Sequence, residues 1–288
     1  MHASHTRTRH IMSADQNDPL LAATQLAASL QLVRPHTSIV VTKLTSDGRS
    51  WLLHAENWWP IDAATFNAMW SRRPADPQIG RIMGRPVPFP RRTSAFGVDY
   101  RYSGQTNRSE PIRTAPAAVQ NVVTAIHSTA TLLGHNAILL NWYDAANKDY
   151  IGPHSDDEPQ LKRGEAVISL SWNTGEHYRR FRLTPRKGVS DALRPNGWGR
   201  GPGVVHVCNG DLVVMGGDCQ TTHKHEIMKP TRAHSEATGR RINLTLRAFH
   251  ESPAADRKRR RDDEQESSCA HSSYVPRRSP RHMSHLPQ

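Results

Sequence analysis

The stretch from residue 141 to 158 reads NWYDAANKDYIGPHSDDE and holds the most informative spacing in the chain. It places His154 and Asp156 two residues apart. On a β-strand such residues point to the same face, so an imidazole and a carboxylate can converge on one ion. A pair of this kind is frequent by chance, and a metal site needs a second histidine from another strand. His223 and His225, which follow the apolar run GDLVVMGG, are the two candidates.

Two histidines and one carboxylate leave coordination positions open on a metal ion. This ligand set is that of the non-haem Fe(II) oxygenases. Catalytic zinc takes the same ligands and is the competing interpretation. A third interpretation is that these side chains are unrelated polar residues. Cysteine-based zinc sites and disulfide frameworks are excluded, because Cys208, Cys219 and Cys269 form no CxxC pair and no even set.

A second polar pattern lies in RRINLTLR, residues 240–247. Alternation along a strand would place the apolar side chains on one face and the polar ones on the other. The polar set is Arg241, Asn243, Thr245 and Arg247. Burying two guanidinium groups is costly unless they meet anions. The strand therefore predicts either a site for a small dicarboxylate held by the arginine forks or an exposed basic face.

The rest of the chain reads as a few helices followed by repeated short strands. Apolar patterns predict helices at 20–33, after Pro60 and at 115–133, and strands at 38–44, 50–54, 137–143, 166–172, 179–183, 204–208, 211–215 and 240–249. Residues 74–113 read as an extended segment with short strands. Short strands separated by Gly and Pro turns predict a β-sandwich or barrel rather than a parallel α/β sheet.

Composition and charge divide the chain into three parts. Residues 1–36 are predicted to be a partly disordered N-terminal extension, 37–250 the folded domain and 251–288 a disordered basic and polar tail. The 288 residues carry a net charge of +12, of which +9 lies in the domain and +6 between residues 72 and 113. A basic body favours a polyanionic partner such as nucleic acid. The alternative is that arginine is simply a common surface residue here.

Three further expectations concern location and assembly. No run of eighteen apolar residues exists, and the first eighteen residues hold no apolar core of a secretory signal, so we expect neither membrane insertion nor secretion. The run RKRRR at residues 257–261 predicts nuclear import, with a cytoplasmic location or a nonspecific nucleic-acid arm as alternatives. We also expect a monomer.

Four motifs follow one another along the chain in an order that is similar to one family. They are N-x-Y at 141–143, H-x-D-x-E at 154–158, a histidine within HKHEIMKP, and R-x-N-x-T-x-R at 241–247. This order resembles the AlkB-like Fe(II)/2-oxoglutarate dioxygenases, the oxidative nucleic-acid demethylases. The resemblance covers residues 80–249 and includes AFGVDYRYSG, which is similar to the family's lid segment. It implies a mainly β fold with flanking helices around a double-stranded β-helix, or jelly roll.

The resemblance also implies roles for the matching residues. The Fe(II) ligands would be His154, Asp156 and His225, with His223 as the alternative to His225. The 2-oxoglutarate ligands would be Asn141, Tyr143, Arg241, Asn243 and Arg247. A lid at about residues 72–113 would cover the site. The substrate-binding residues would be Tyr100 and Tyr102, which stack on a base, and Asp157 and Glu158, which face its positive charge.

The function that the resemblance implies is oxidative removal of N-alkyl groups from bases such as 1-methyladenine and 3-methylcytosine, with release of formaldehyde. Its cofactors would be Fe(II), O2 and 2-oxoglutarate. Alkylated DNA is the favoured substrate and RNA the second, and in either the base must be single-stranded or flipped out. Two other functions stay open: a dioxygenase acting on protein or on a small molecule, and a non-catalytic nucleic-acid-binding module.

Overall fold

The computed structural model describes residues 20–82, 84–102, 105–129, 132, 134–193, 203–231 and 239–250. The disorder predicted for residues 1–19 and for the tail at 251–288, with its RKRRR run, lies outside these residues and stays a prediction. In the part of the chain that the structure describes, no helix is long and apolar enough to span a membrane.

The described residues form short helices and many strands. The helices are α1 (Leu21–Val33), α2 (Ala63–Ser71), α3 (Ala117–His127) and α4 (Cys219–Thr222), with a 3-10 turn at Ile112–Thr114. The first strands are β1 (Ile39–Lys43), β2 (Ser50–Ala55), β3 (Ile79–Ile82), β4 (Arg85–Pro88), β5 (Arg92–Gly97), β6 (Tyr100–Tyr102) and β7 (Gln105–Asn107). The later strands are β8 (Ala137–Asp144), β9 (Ile151–His154), β10 (Val167–Asn173), β11 (Arg179–Pro185), β12 (Val204–Val207), β13 (Leu212–Gly217), β14 (His223–Ile227) and β15 (Arg240–Arg247).

Two antiparallel sheets pack face to face. The major sheet has the order β1-β2-β13-β10-β15-β8-β5, and the minor sheet has the order β12-β11-β14-β9. Side chains of the major sheet such as Leu52 and Met215 are buried in one cluster with Phe181 and Leu183 of the minor sheet. The strand pairs β3–β4 and β6–β7 stand apart from both sheets. The predicted mainly β fold with a jelly-roll core is therefore confirmed.

Helices cover the outer face of the major sheet. Leu26 and Leu30 of α1 lie in one buried cluster with Leu244 of β15 and with apolar residues of α2 and α3. The sequence places residues 21–33 in an N-terminal extension. In the structure this helix packs on the domain, because its apolar side chains complete the core on that face. The domain boundary at residue 37 stays a prediction.

Three buried tryptophans attach this helical layer and its loops to the sheet. The indole N–H groups of Trp58, Trp142 and Trp172 donate to main-chain carbonyl oxygens 3.2, 3.1 and 2.9 Å away. A buried indole N–H is costly without an acceptor, so each bond also fixes the ring that makes it. The outer face of the major sheet is thereby closed, and the space between the two sheets is left for a site.

Two strands and one helix end differ from the sequence-based expectation. The strand β9 (IGPH) contains Gly152 and Pro153, which are poor strand formers, and it lies at a sheet edge where proline is tolerated. The strand β14 (HKHEI) lacks an apolar alternation, so the pattern does not reveal it either. The helix predicted at 115–133 ends at His127, because the hydroxyls of Ser128 and Thr129 bond back to helix carbonyls.

Gly216 offers a test of the packing between β13 and β2. A Cβ added there would lie 1.9 Å from the Trp51 indole, and Trp51 is itself buried. We expect Gly216→Ala to lower the free energy of unfolding by about 1–3 kcal/mol, the usual cost of overpacking. Gly134→Ala is the control, since the atom nearest to its added Cβ would be the Lys162 Nζ at 4.0 Å. Chemical denaturation measures both, and equal stability of the two variants would contradict the packing described.

Candidate metal and co-substrate site

Three potential metal ligands meet at one end of the space between the sheets. His154 ends β9, Asp156 follows two residues later, and His225 lies on β14 directly opposite His154 in the strand register. One ligand atom from each residue lies within 4.8 Å of the others. The Nε2 of His225 is 4.0 Å from the Oδ2 of Asp156. Two imidazoles and a carboxylate in this arrangement fit a divalent ion.

Hydrogen bonds orient the first two ligands. The Nδ1 of His154 lies 2.9 Å from the Gly152 carbonyl oxygen, so it carries the proton and leaves Nε2 as the ligand atom. The Oδ1 of Asp156 accepts from the Nη2 of Arg247 at 2.7 Å. The Oδ2 of Asp156 is buried and has no hydrogen-bond partner among the described residues. The Nε2 of His154 and the Oδ2 of Asp156 thus keep the lone pairs that would bind a metal ion.

The charge states of the three groups also suit a metal. Burial lowers the pKa of His225 to about 3 and lowers the pKa of His154, so both rings are neutral at pH 7. Burial would raise the pKa of Asp156, but Arg247 and His225 together hold it well below its usual range. Neutral imidazoles and an ionised carboxylate are the forms that bind metals.

The alternative ligand, His223, lies elsewhere. His223 and His225 share a face of β14, but the group of converging ligand atoms contains only His225. The Nδ1 of His223 is instead 2.9 Å from the Oγ1 of Thr222. The structure therefore brings His225, and not His223, to His154 and Asp156.

The polar face of β15 forms a wall of the cavity beside these ligands. Its apolar residues Ile242, Leu244 and Leu246 point into the core under the helices, as the alternation predicts. The opposite face contributes polar side chains to the cavity, together with neighbours from β8, β9, β10 and β14. The predicted 2-oxoglutarate ligands all line this cavity: Asn141, Tyr143, Arg241, Asn243 and Arg247.

Arg241 is the buried cation at one end of this wall. Its Nε and Nη2 donate to the Oγ of Ser171 at 3.1 and 2.8 Å, and Nη2 also contacts the Oδ1 of Asn243. Its Nη1 has no acceptor among the described residues. Burial lowers the pKa of Arg241 to about 10, which leaves it charged at pH 7. A buried guanidinium with an unused donor fits a carboxylate ligand.

Arg91 is a cavity residue that the sequence patterns do not single out. It immediately precedes β5, is buried, lines the cavity and donates from Nε to the Oδ1 of Asn141 at 3.1 Å. It belongs to the arginine-rich segment 72–113, where nothing in the spacing separates an inward arginine from an outward one. The only local signal is its place beside a strand that pairs with β8.

The predicted substrate residues fall into three groups. Glu158 is buried and lines the cavity, and neither of its carboxylate oxygens has a hydrogen-bond partner among the described residues. Asp157 is exposed, and its Oδ2 lies 3.5 Å from the Nη2 of Arg186. The backbone of Tyr100 and Tyr102 forms β6, while their side chains lie outside the described part of the structure. The structure thus directs only Glu158 of the acidic pair into the cavity.

The family model of the 2OG-Fe(II) oxygenase superfamily matches residues 68–247, which is more than half of the chain. The chain belongs to this superfamily. It is 28% identical over 198 residues to "Alpha-ketoglutarate-dependent dioxygenase alkB homolog 3" of Rattus norvegicus, and 30% identical over 122 residues to the protein of that name from Homo sapiens. These alignments cover 68% and 42% of this chain. The chain spans 60% and 39% of the two relatives.

A solved structure, "The structure of OsALKBH1", aligns with 74% of this chain and 100% of its own, with 14% identity and a TM-score of 0.45. The predicted resemblance to the AlkB-like dioxygenases is confirmed by the superfamily match and the curated relatives. Membership implies Fe(II), 2-oxoglutarate and O2 as cofactors. It also decides between iron and zinc, which the ligand set alone leaves open.

The assignment of the second histidine can be tested directly. We expect His225→Asn to weaken binding of Mn(II), a stand-in for Fe(II), by about 100-fold or more, since a whole ligand is worth more than its supporting contacts. His223→Asn is the matched control, two residues away on the same strand face, and should retain the affinity of the wild type. Isothermal titration calorimetry measures both. The reverse order of affinities would assign the ligand to His223.

Proposed function

We propose that the protein removes N-alkyl groups oxidatively from bases such as 1-methyladenine and 3-methylcytosine in DNA or RNA, with release of formaldehyde. The observation that carries this proposal is the buried carboxylate of Glu158 on the cavity wall, two residues after the metal ligand Asp156. The names of the curated relatives, which describe alkB homologues, support the same direction.

Glu158 favours a cationic substrate. Burial raises the pKa of Glu158, so a positive or donor group that faces the carboxylate would stabilise its ionised form. The guanidinium of Arg247, which acts on Glu158 electrostatically, donates a hydrogen bond to Asp156. Bases methylated at adenine N1 or cytosine N3 carry a positive charge near neutral pH and present an exocyclic amine. A substrate of this class would supply both the charge and the donor.

The predicted metal and co-substrate ligands would then have the following roles. His154, Asp156 and His225 would hold the iron, and bound iron supplies the oxidation of the N-alkyl carbon, coupled to conversion of 2-oxoglutarate and O2 into succinate and carbon dioxide. Arg241 would bind the carboxylate of 2-oxoglutarate that lies away from the metal, with Asn141, Tyr143 and Asn243 beside it. Arg247 would orient Asp156 and lie near the metal-binding end of the co-substrate.

The target base must leave the stack to reach this buried cavity. The segment 72–113 carries nine arginines against three acidic residues, and we propose that it acts as a lid that binds phosphates on either side of the extruded nucleotide. Stacking of Tyr100 and Tyr102 on the base belongs to the same proposal. Alkylated DNA is the favoured substrate of this proposal. The proposed location is the nucleus, with import directed by RKRRR at 257–261.

The reaction can be tested with the purified chain, Fe(II), 2-oxoglutarate and oligonucleotides that contain 1-methyladenine or 3-methylcytosine. We expect mass spectrometry to record the loss of CH2 from the oligonucleotide, and His154→Ala to abolish it because the iron site is lost. Succinate formation on other substrates without oligonucleotide demethylation would favour a protein or small-molecule substrate. Oligonucleotide binding without any turnover would favour a non-catalytic module.

The role of Glu158 predicts a change in base selectivity. We expect Glu158→Gln to lower kcat/KM for cationic bases by about 10- to 100-fold, the range for loss of one hydrogen bond to a charged group. The same variant should change kcat/KM much less for neutral bases such as 3-methylthymine. Asp157→Asn, at an exposed position outside the cavity lining, should have the smaller effect on both kinds of base. An equal loss for cationic and neutral bases in Glu158→Gln would contradict the charge recognition.

A further inference from the structure

A second buried arginine lies behind the co-substrate wall, outside the set of residues that line the cavity. Arg179 begins β11 and is fully buried. Its Nη2 donates to the carbonyl oxygens of Asp149 and Met228 at 2.6 and 3.1 Å. Its Nη1 has no acceptor among the described residues. The side chain thus links the residues before β9 to the residue after β14.

Arg179 and Arg241 lie against the same aromatic ring. Their guanidinium carbons are 5.6 and 5.2 Å from the centroid of the Tyr143 ring. Contacts at these distances are cation–π interactions, which strengthen when the partners are removed from water. Tyr143 is itself buried. Two planar cations on one buried ring hold its orientation, and with it the position of the hydroxyl at the cavity wall.

The positive charge around Tyr143 is only partly balanced within the protein, by the electrostatic effect of Asp149 and Asp144 on Arg179. Among the described residues neither Arg179 nor Arg241 forms an ion pair with a carboxylate, whereas Arg247 is paired with Asp156. Burial lowers the pKa of Arg179 to about 10, so it remains positive at pH 7. Two buried positive charges without a direct carboxylate partner are costly to keep. An anionic group bound beside Tyr143 would relieve that cost.

We propose that Arg179 is a positioning residue that selects a dicarboxylate co-substrate. It fixes Tyr143 against Arg241 and adds a second positive charge at the end of the cavity where the carboxylate remote from the metal binds. The proposal rests on the 2-oxoglutarate-binding role of Arg241 and Tyr143 given above. Lysine could supply the charge, but not the two carbonyl contacts together with a planar face on the ring.

A purely structural role makes a different prediction. If Arg179 only tied Asp149 to Met228, its loss would lower stability and weaken every ligand of the cavity alike. If Arg179 acts on the remote carboxylate, its loss weakens 2-oxoglutarate while a keto acid without that carboxylate is spared. 2-Oxobutanoate is such a keto acid, since it keeps the metal-binding end and lacks the second carboxylate.

The test compares Arg179→Met and Arg179→Lys with Arg180→Met, the neighbouring arginine, which is partly exposed and donates to the Lys229 carbonyl oxygen. Calorimetry on Mn(II)-loaded protein gives the affinities for 2-oxoglutarate and for 2-oxobutanoate, without nucleic acid. We expect Arg179→Met to weaken 2-oxoglutarate by about tenfold or more and 2-oxobutanoate by less than about twofold. Arg180→Met should match the wild type.

Arg179→Lys keeps the proposal testable if the methionine variant does not fold. It should show a preference for 2-oxoglutarate over 2-oxobutanoate that lies between those of the wild type and Arg179→Met. A preference unchanged from the wild type in Arg179→Lys, or an equal loss of both ligands in Arg179→Met, overturns the proposal. Because no nucleic acid is used, failed demethylation by a wild type that still prefers 2-oxoglutarate would refute the proposed function and leave this inference standing.

Discussion

The buried contact between Arg247 and Asp156 joins the two halves of the site. Arg247 belongs to β15 at the middle of the major sheet, and Asp156 follows β9 at the edge of the minor sheet. A 2.7 Å ion pair between Arg247 and Asp156 joins the two sheets across that space. It also uses Oδ1 of the carboxylate and leaves Oδ2 for a metal. Removing either partner would leave an uncompensated buried charge, which is costly.

The cavity without its cofactors is electrostatically incomplete in two opposite ways. Around Tyr143 the buried guanidiniums of Arg179 and Arg241 form no ion pair with a carboxylate among the described residues, and near His154 the Oδ2 of Asp156 and both carboxylate oxygens of Glu158 have no hydrogen-bond partner there. A dianionic co-substrate would correct the first defect and a dication the second. A ligand that binds only the folded state stabilises that state. The buried groups without partners, which make the empty site unfavourable, would therefore favour ligands of the opposite charge.

The sequence predicts those parts of the site that depend on local alternation. The inward face of β15 follows from spacing two residues apart, and so does the approach of His154 to Asp156. The choice between His223 and His225 is different, because both occupy the same strand face. It depends on the register of β14 against β9, which places His225 opposite His154, and β9 has too few strand-forming residues to be recognised.

Residues that reach the cavity from a distance follow the same logic. Glu158 and Asp157 are adjacent in a loop, where no period tells the inward side chain from the outward one. Arg91 and Arg179 are buried, whereas the arginine that follows each of them is only half-buried, and the two neighbours cannot be told apart from the sequence. The motifs in the sequence thus predict the metal and co-substrate ligands. The residues that support or adjoin those ligands, such as Arg91 and Arg179, are identified only from the assembled sheets.

The interior also bears on the basic charge of the domain. Among the described residues the buried charged side chains comprise four arginines and five carboxylates: Arg91, Arg179, Arg241, Arg247, Asp149, Asp156, Glu158, Asp211 and Glu226. The interior therefore holds no net positive charge, and the excess of +9 carried by residues 37–250 does not arise from it. Charge that is not used in the core is available to attract a polyanion, and its effect falls with ionic strength. The structure thus separates two sets of arginines: four that are buried within the domain, and the larger remainder, which lies outside the core.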